Sequence, residues 1–174
     1  MKKLLTFISF ILIISACEST PPNPLYLDTN GVTVKAHKWA KIGDEGIING
    51  VRYTIVDGKT LRDLIRNGDS YDRVCTTFIA DMGRLFRDKI TSQDISSWDV
   101  SNVQSMYQMF FDNHGFNCDI SIWDVSNVRW MVNIFYGAIS FNQDLSSWDV
   151  NQVVDYSDFD YYTPNWTLPK PKFK

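Results

Sequence analysis

Histidine occurs twice in this 174-residue chain and cysteine three times. His37 and His114 lie far apart in sequence, so neither a histidine metal site nor a histidine base with an adjacent partner is indicated. No G-x-S-x-G elbow, no metal-spaced Cys/His pair, no EF-hand loop and no nonapeptide calcium repeat is present. Paired carboxylates could in principle hydrolyse a glycosidic bond, but here they recur at fixed positions where a structural role is expected. Positive charge is also scarce where it would matter for nucleic acid. Residues 94–154 hold seven aspartates and one base, Arg129, a balance that disfavours a phosphate backbone. These absences argue for a non-catalytic protein without cofactor or metal.

What is present begins with a leader. Met1-Lys2-Lys3 is basic, and Leu4 to Ile14 is an apolar run of about 11 residues, short of the ~20 that a spanning helix needs. It ends in Ile14-Ser15-Ala16-Cys17, which resembles the lipobox of bacterial lipoproteins. The resemblance implies cleavage after residue 16, a diacylglycerol on the Cys17 thiol, and a cell-envelope protein anchored to a bacterial membrane. Two or three acyl chains, at roughly 0.8 kcal/mol per buried methylene, anchor stably without a spanning helix. Residues 17–24 hold Pro21, Pro22 and Pro24 and no large apolar side chain, and read as a solvated tether. Loss of Lys2 and Lys3 leaves 15 basic against 20 acidic residues, a net of −5.

Residues 25–74 read as a β-rich N-terminal cap. Gly31 to Ala36 alternates like a strand, with His37 a surface residue at its end. Asn49-Gly50 marks a type I′ hairpin between two β-rich runs. Thr60 reads as the N-cap of a helix that Asn67-Gly68 stops.

From 75 to 160 one word returns. Asp94-Ile95-Ser96-Ser97-Trp98-Asp99-Val100, Asp119-Ile120-Ser121-Ile122-Trp123-Asp124-Val125 and Asp144-Leu145-Ser146-Ser147-Trp148-Asp149-Val150 are spaced by 25, with a degenerate copy at 79–86 making about 3.5 repeats. After each word, apolar residues fall at helical spacing (Val103, Met106, Phe110; Val128, Met131, Phe135), with Ser101 and Ser126 as N-caps and Gly115 and Gly137 as stops. A short strand and a crossover helix per unit predict an α/β fold: a short right-handed solenoid of leucine-rich-repeat-like units. The pattern Phe-Asn-x-Asp-[Ile/Leu]-Ser-x-Trp-Asp-Val-Ser-Asn-Val-x-x-Met-x-x-x-Phe resembles the BspA-like leucine-rich-repeat family of bacterial surface lipoproteins. That resemblance implies a surface-exposed protein-binding or adhesion role and carries over no catalytic residue. Residues 161–174 read as a C-terminal cap and tail, with Trp166, 25 residues after Phe141, plugging the last coil.

Three groups of residues carry the functional expectation. Trp98, Trp123 and Trp148 are expected in the core. Asp94, Asp119 and Asp144, with Asp99, Asp124 and Asp149, are expected to accept backbone N–H groups in Asx-turns; oxygen-rich turns would also suit a calcium ion between coils. Trp130 stands outside the repeated positions and replaces a polar residue, so it is the candidate contact with a protein or glycan ligand, with Tyr107 and Asn133 as neighbours. Cys75 and Cys118 are expected free and buried. The leading expectation is a membrane-anchored module that binds another macromolecule. The alternatives are a structural envelope lipoprotein without a specific ligand and a glycan-binding surface protein.

Overall fold

The computed structural model describes residues 21–90 and 93–174; the leader and the lipidation position Cys17 lie outside them. Two small sheets form the N-terminal part. Strand β1 (Leu25–Leu27) pairs antiparallel with β2 (Val34–Ala36). Strand β3 (Glu45–Ile48) pairs antiparallel with β4 (Val51–Ile55), and β4 pairs parallel with β5 (Val74–Cys75). Asn49 and Gly50, at φ 51° and 79°, make the hairpin between β3 and β4 that their sequence predicts. Helix α1 (Gly58–Asn67) lies between β4 and β5. Its N-cap is Asp57, whose carboxylate accepts from the Thr60 amide, so Thr60 is already inside the helix. Gly68 ends it in the left-handed conformation. Leu25, Val34, Ala36, Ile55 and Cys75 bury a small core between the sheets, while Leu61 and Ile65 of α1 join the larger core that runs on to Trp166.

The expected α/β solenoid does not form. Among the described residues α1 is the only helix, the sheets are confined to the N-terminal part, and the repeat region holds no strand–helix unit. The described residues between 79 and 163 consist instead of tight turns, joined by isolated parallel bridges Asp81–Ser105, Ser105–Trp130 and Trp130–Asp155. The physical reason lies in the backbone. Arg84, Gln108, Asn133 and Asp158 have φ between 52° and 57°, and Asp88, Asp112, Gly137 and Tyr162 have φ between 51° and 68°. A left-handed residue every fourth position cannot belong to a right-handed helix. Ser101 and Ser126 therefore cap no helix. Gly115 ends none, and Gly137 occupies one of these left-handed positions.

The amides freed from helical bonding reach the next repeat. Met106, Gln108, Phe110 and Asp112 donate to Trp130, Val132, Ile134 and Tyr136 at 2.7–3.0 Å. The same four bonds recur one unit earlier, from Met82, Arg84, Phe86 and Asp88, and one unit later, from Met131, Asn133, Phe135 and Gly137. The intervening amides close turns within their own unit, as Met109 does to Met106 and Phe111 to Gln108. Each unit is thus a layer whose ladder N–H groups all face the following layer and whose ladder carbonyls all face the preceding one.

Apolar periodicity still sets what is buried. Phe86, Phe110 and Phe135 stack in register at 5.7 and 5.6 Å with interplanar angles of 7° and 5°, and Phe116 stacks on Phe141 at 5.5 Å. Trp98, Trp123 and Trp148 are buried, at 0, 3 and 4 % exposure. The stack breaks at Asp160, which stands 25 residues after Phe135. There Phe159 and Trp166 meet Phe135 edge-on, and Trp166 also meets Phe141 at 89°. Polar residues of the repeated words stitch the layers. The Asn102 and Asn127 side-chain amides donate to Thr77 and Ser101 carbonyls at 2.8 Å, and Asn117 and Asn142 accept from the Asn142 and Thr167 amides.

Candidate binding surface

The aspartates settle into local turns. Asp94, Asp119 and Asp144 accept the amides of Ser96, Ser121 and Ser146 at 2.9–3.0 Å. Asp99, Asp124 and Asp149 accept those of Ser101, Ser126 and Asn151 at 3.0–3.1 Å. Bonds from Ser96 hold the Asp94 carboxyl below the usual carboxylate range, and the Ser146 hydroxyl and amide do the same for Asp144. Among the described residues no group of three or more His, Cys, Asp or Glu side chains is placed to hold a metal ion.

Asp99 differs from its repeats. It is 2 % exposed and accepts Thr77 Oγ1 at 2.6 Å as well as Ser101 Oγ at 2.6 Å, while Thr77 Oγ1 accepts the Ala36 amide at 3.0 Å. The Val34 amide donates to Ser97 at 2.9 Å. These bonds dock the β1–β2 sheet on the first complete repeat word.

Cys75 is buried and Cys118 half-buried, and both are free thiols. The expectation that both are buried thus fails for Cys118, whose Sγ lies 3.4 Å from Asp94 Oδ1. Burial first, then that carboxylate, pushes its pKa up to about 11.

Trp130 is exposed, at 42 %, on the bridge between Ser105 and Asp155. The Arg129 guanidinium lies over its ring, 5.5 Å from the centroid. Arg129 also lines a polar groove of about 640 Å³ with Asn102, Gln104, Asn127, Asn151 and Gln152. This groove is the part that reading the repeat word by word missed. Its lining comes from the same columns of successive repeats (Asn102/Asn127/Gln152 and Gln104/Arg129), and aligning columns would have placed those side chains side by side.

The two expected neighbours of Trp130 have other settings. Tyr107 is half-buried under the Arg84 guanidinium at 5.1 Å. Asn133 holds a left-handed backbone at φ 53°, a conformation asparagine tolerates better than most residues, and its Oδ1 is buried without a hydrogen-bond partner among the described residues. Neither lines the groove beside Trp130. A separate outer column carries Arg87 over Phe111 at 4.7 Å, then Phe111, Tyr136 and Tyr161 stacked at 4.6 and 5.1 Å.

The profile of a family described as "Mycoplasma protein of unknown function, DUF285" matches residues 62–166, more than half of the chain. The chain belongs to this family. The DUF285 match begins inside α1 and ends at Trp166, so it spans the stacked layers together with the C-terminal half of the helix that packs beside their first edge. No curated protein and no solved structure matches the chain. No helix among the described residues is long and apolar enough to cross a membrane.

Proposed function

We propose that this DUF285 protein is a lipid-anchored, non-catalytic protein of the bacterial cell envelope whose stacked repeats bind another macromolecule. The observation that carries the reading is Trp130. Three repeat tryptophans are buried as layer-filling side chains, whereas this one is presented to solvent beside an arginine and a carboxamide-lined groove. An exposed aromatic with a neighbouring guanidinium is the pairing enriched at binding hot spots. The groove's amides and the Trp130 ring also suit a glycan, with hydroxyls bonded by carboxamides and a sugar face on the indole. The finer likeness to BspA-like surface lipoproteins supports the surface role through the Trp-Asp-Val words, and the lipobox-like Ile14-Ser15-Ala16-Cys17 supports the anchor.

The test is full-length protein in detergent against arrays of glycans and extracellular proteins, wild type beside Trp130→Ala. The expected result is a ligand that loses at least about tenfold in affinity, about 1.4 kcal/mol, with circular dichroism unchanged. Equal binding by both proteins would remove Trp130 from the reading, and no binding by either would favour a structural envelope role. Anchorage is read separately: labelling with a tagged fatty acid should vanish in Cys17→Ser.

A further inference from the structure

The stack of layers has two unlike ends. At the first layer the ladder carbonyls face outward, and α1 covers two of them: Arg62 donates to the carbonyls of Gly83 and Asp81 at 2.9 and 3.3 Å. Arginine carries only donors, so it matches an edge made only of acceptors. At the last layer the ladder amides face outward. Those of Tyr156, Asp158, Asp160 and Tyr162 stand where Met131, Asn133, Phe135 and Gly137 stand one unit earlier, and among the described residues they have no acceptor.

A donor-only edge selects its partner. An ordinary β-strand would bring its own N–H groups against these amides along with its carbonyls, because both groups of one residue point the same way. A proline-rich extended segment brings carbonyls without N–H groups. The surroundings fit the same ligand. Tyr156, Tyr161 and Tyr162 are 40, 58 and 70 % exposed, and aromatic-lined grooves are where extended proline segments dock. Asp155 and Asp158 are exposed beside the edge with no basic partner among the described residues, which favours a basic segment.

The chain's own tail shows that this end accepts such a segment. Lys170 pairs with Asp160, Pro171 is buried, and Phe173 stacks on Tyr156 at 4.1 Å with an interplanar angle of 7°. The tail forms one wall of a groove of about 410 Å³ whose other wall is the residue 156–161 turn. It does so without bonding the four ladder amides. A second copy of the chain is a poorer fit, because Arg62 already takes two of the four carbonyls, those of Asp81 and Gly83, on the acceptor edge it would have to offer.

We infer that the open edge of the last layer is a docking site for an extended peptide rich in proline and lysine, held by the amides of residues 156, 158, 160 and 162 and by the exposed tyrosines. The site is distinct from the Trp130 surface and stands or falls independently of it.

The experiment uses the full-length chain in detergent micelles and a fluorescein-labelled peptide of alternating proline and lysine. Its control has alanine for every proline, at the same charge. Fluorescence anisotropy should show the proline peptide binding at least about tenfold more tightly than the control, and Tyr161→Ser with Tyr162→Gly should weaken it by a similar factor. Amide NMR should show the four amides exchanging freely with solvent in the free protein, in contrast to those of Met131, Asn133, Phe135 and Gly137, and moving downfield on titration. Equal binding of both peptides, shifts confined to other residues, or protection of the four amides before peptide is added would each overturn the inference. Protection that grows with protein concentration alone would assign the edge to a second copy instead.

Discussion

Asp99 and Asp124 occupy the same position of the repeat, make the same turn, and should respond very differently to alanine. Asp99→Ala removes a carboxylate that accepts three hydrogen bonds in a buried setting: the Ser101 amide at 3.1 Å, the Ser101 hydroxyl at 2.6 Å and the Thr77 hydroxyl at 2.6 Å. It also leaves the Thr77 hydroxyl, itself fixed by the Ala36 amide, with only the weakly accepting Cys75 sulfur at 3.4 Å. Bonds to a charged group contribute about 1.5–3 kcal/mol each and are not additive, so a loss of about 3–4 kcal/mol is expected. Asp124→Ala removes only the two bonds to Ser126 in an exposed turn, at a cost of about 0.5–1 kcal/mol. For a chain of this size Tm moves by about 2–4 °C per kcal/mol. The two variants should therefore melt roughly 6–16 °C and 1–4 °C below wild type. Urea unfolding followed by tryptophan fluorescence gives both values on one scale. Losses that agree within about 0.5 kcal/mol would show that Asp99 does not join the β1–β2 sheet to the repeats, and that the repeat position alone sets the energy.

Three further outcomes are expected. Gly137→Ala forces a side chain into a left-handed position (φ 68°) and sets its Cβ 2.0 Å from Asp112 Oδ1 and 3.4 Å from Asp112 Cα. It should cost about 1–3 kcal/mol in the same unfolding assay, and an unchanged midpoint would contradict the turn geometry. Cys118, with its thiol pushed up to about 11, should react with iodoacetamide at pH 8 far more slowly than glutathione and faster as pH rises, read by mass spectrometry; a rate equal to glutathione's would contradict it. Asp94, Asp144 and Asp155 all have lowered pKa values, from hydrogen bonds to Ser96, Ser146 and Ser157. Their stabilisation is present above the ordinary carboxylate pKa and is lost as pH falls through the lowered folded values. Melting temperature should thus be flat on the acid side of neutrality and fall below about pH 4, and a fall that begins above pH 5 would implicate other groups.

The sequence made the phase of the repeat legible but not its backbone. Trp98, Trp123 and Trp148 repeat with apolar neighbours, and only burial makes such a column useful. The Asx-turns were legible because aspartate two residues before serine has few other uses at a chain reversal. The helix was a misreading with a definite cause. Val103, Met106 and Phe110 fall on one side of a helix, but also on the inner side of a layer built from consecutive turns, so spacing does not separate the two. What separates them is the destination of the amides, which depends on a neighbour 23 or 24 residues away. A weak local signal did exist: Asp88, Asp112 and Gly137, and Asn133 four residues before Gly137, tolerate positive φ better than most. Gln108 and Tyr162 gave no such signal. Strand β1 went unread because three residues after a proline-rich tether carry no period. The groove beside Trp130 went unread because its lining is assembled from three repeats, each contributing only two or three side chains.

The ladder peptides have an electrostatic consequence. Sixteen of them, four in each of four layers, point the same way along the stack, so their dipoles add as they do in a helix, where an end behaves like roughly half a charge. The carbonyl end is the negative pole, and the Arg62 guanidinium sits on it; the amide end is the positive pole, where Asp155 and Asp158 stand with Asp160, which pairs with Lys170. Charges so placed favour the folded chain beyond the bonds they make. Reversing one of them, as in Asp158→Lys, should destabilise the protein by about 0.3–1 kcal/mol at low salt and less as salt is added, although that carboxylate forms no ion pair among the described residues.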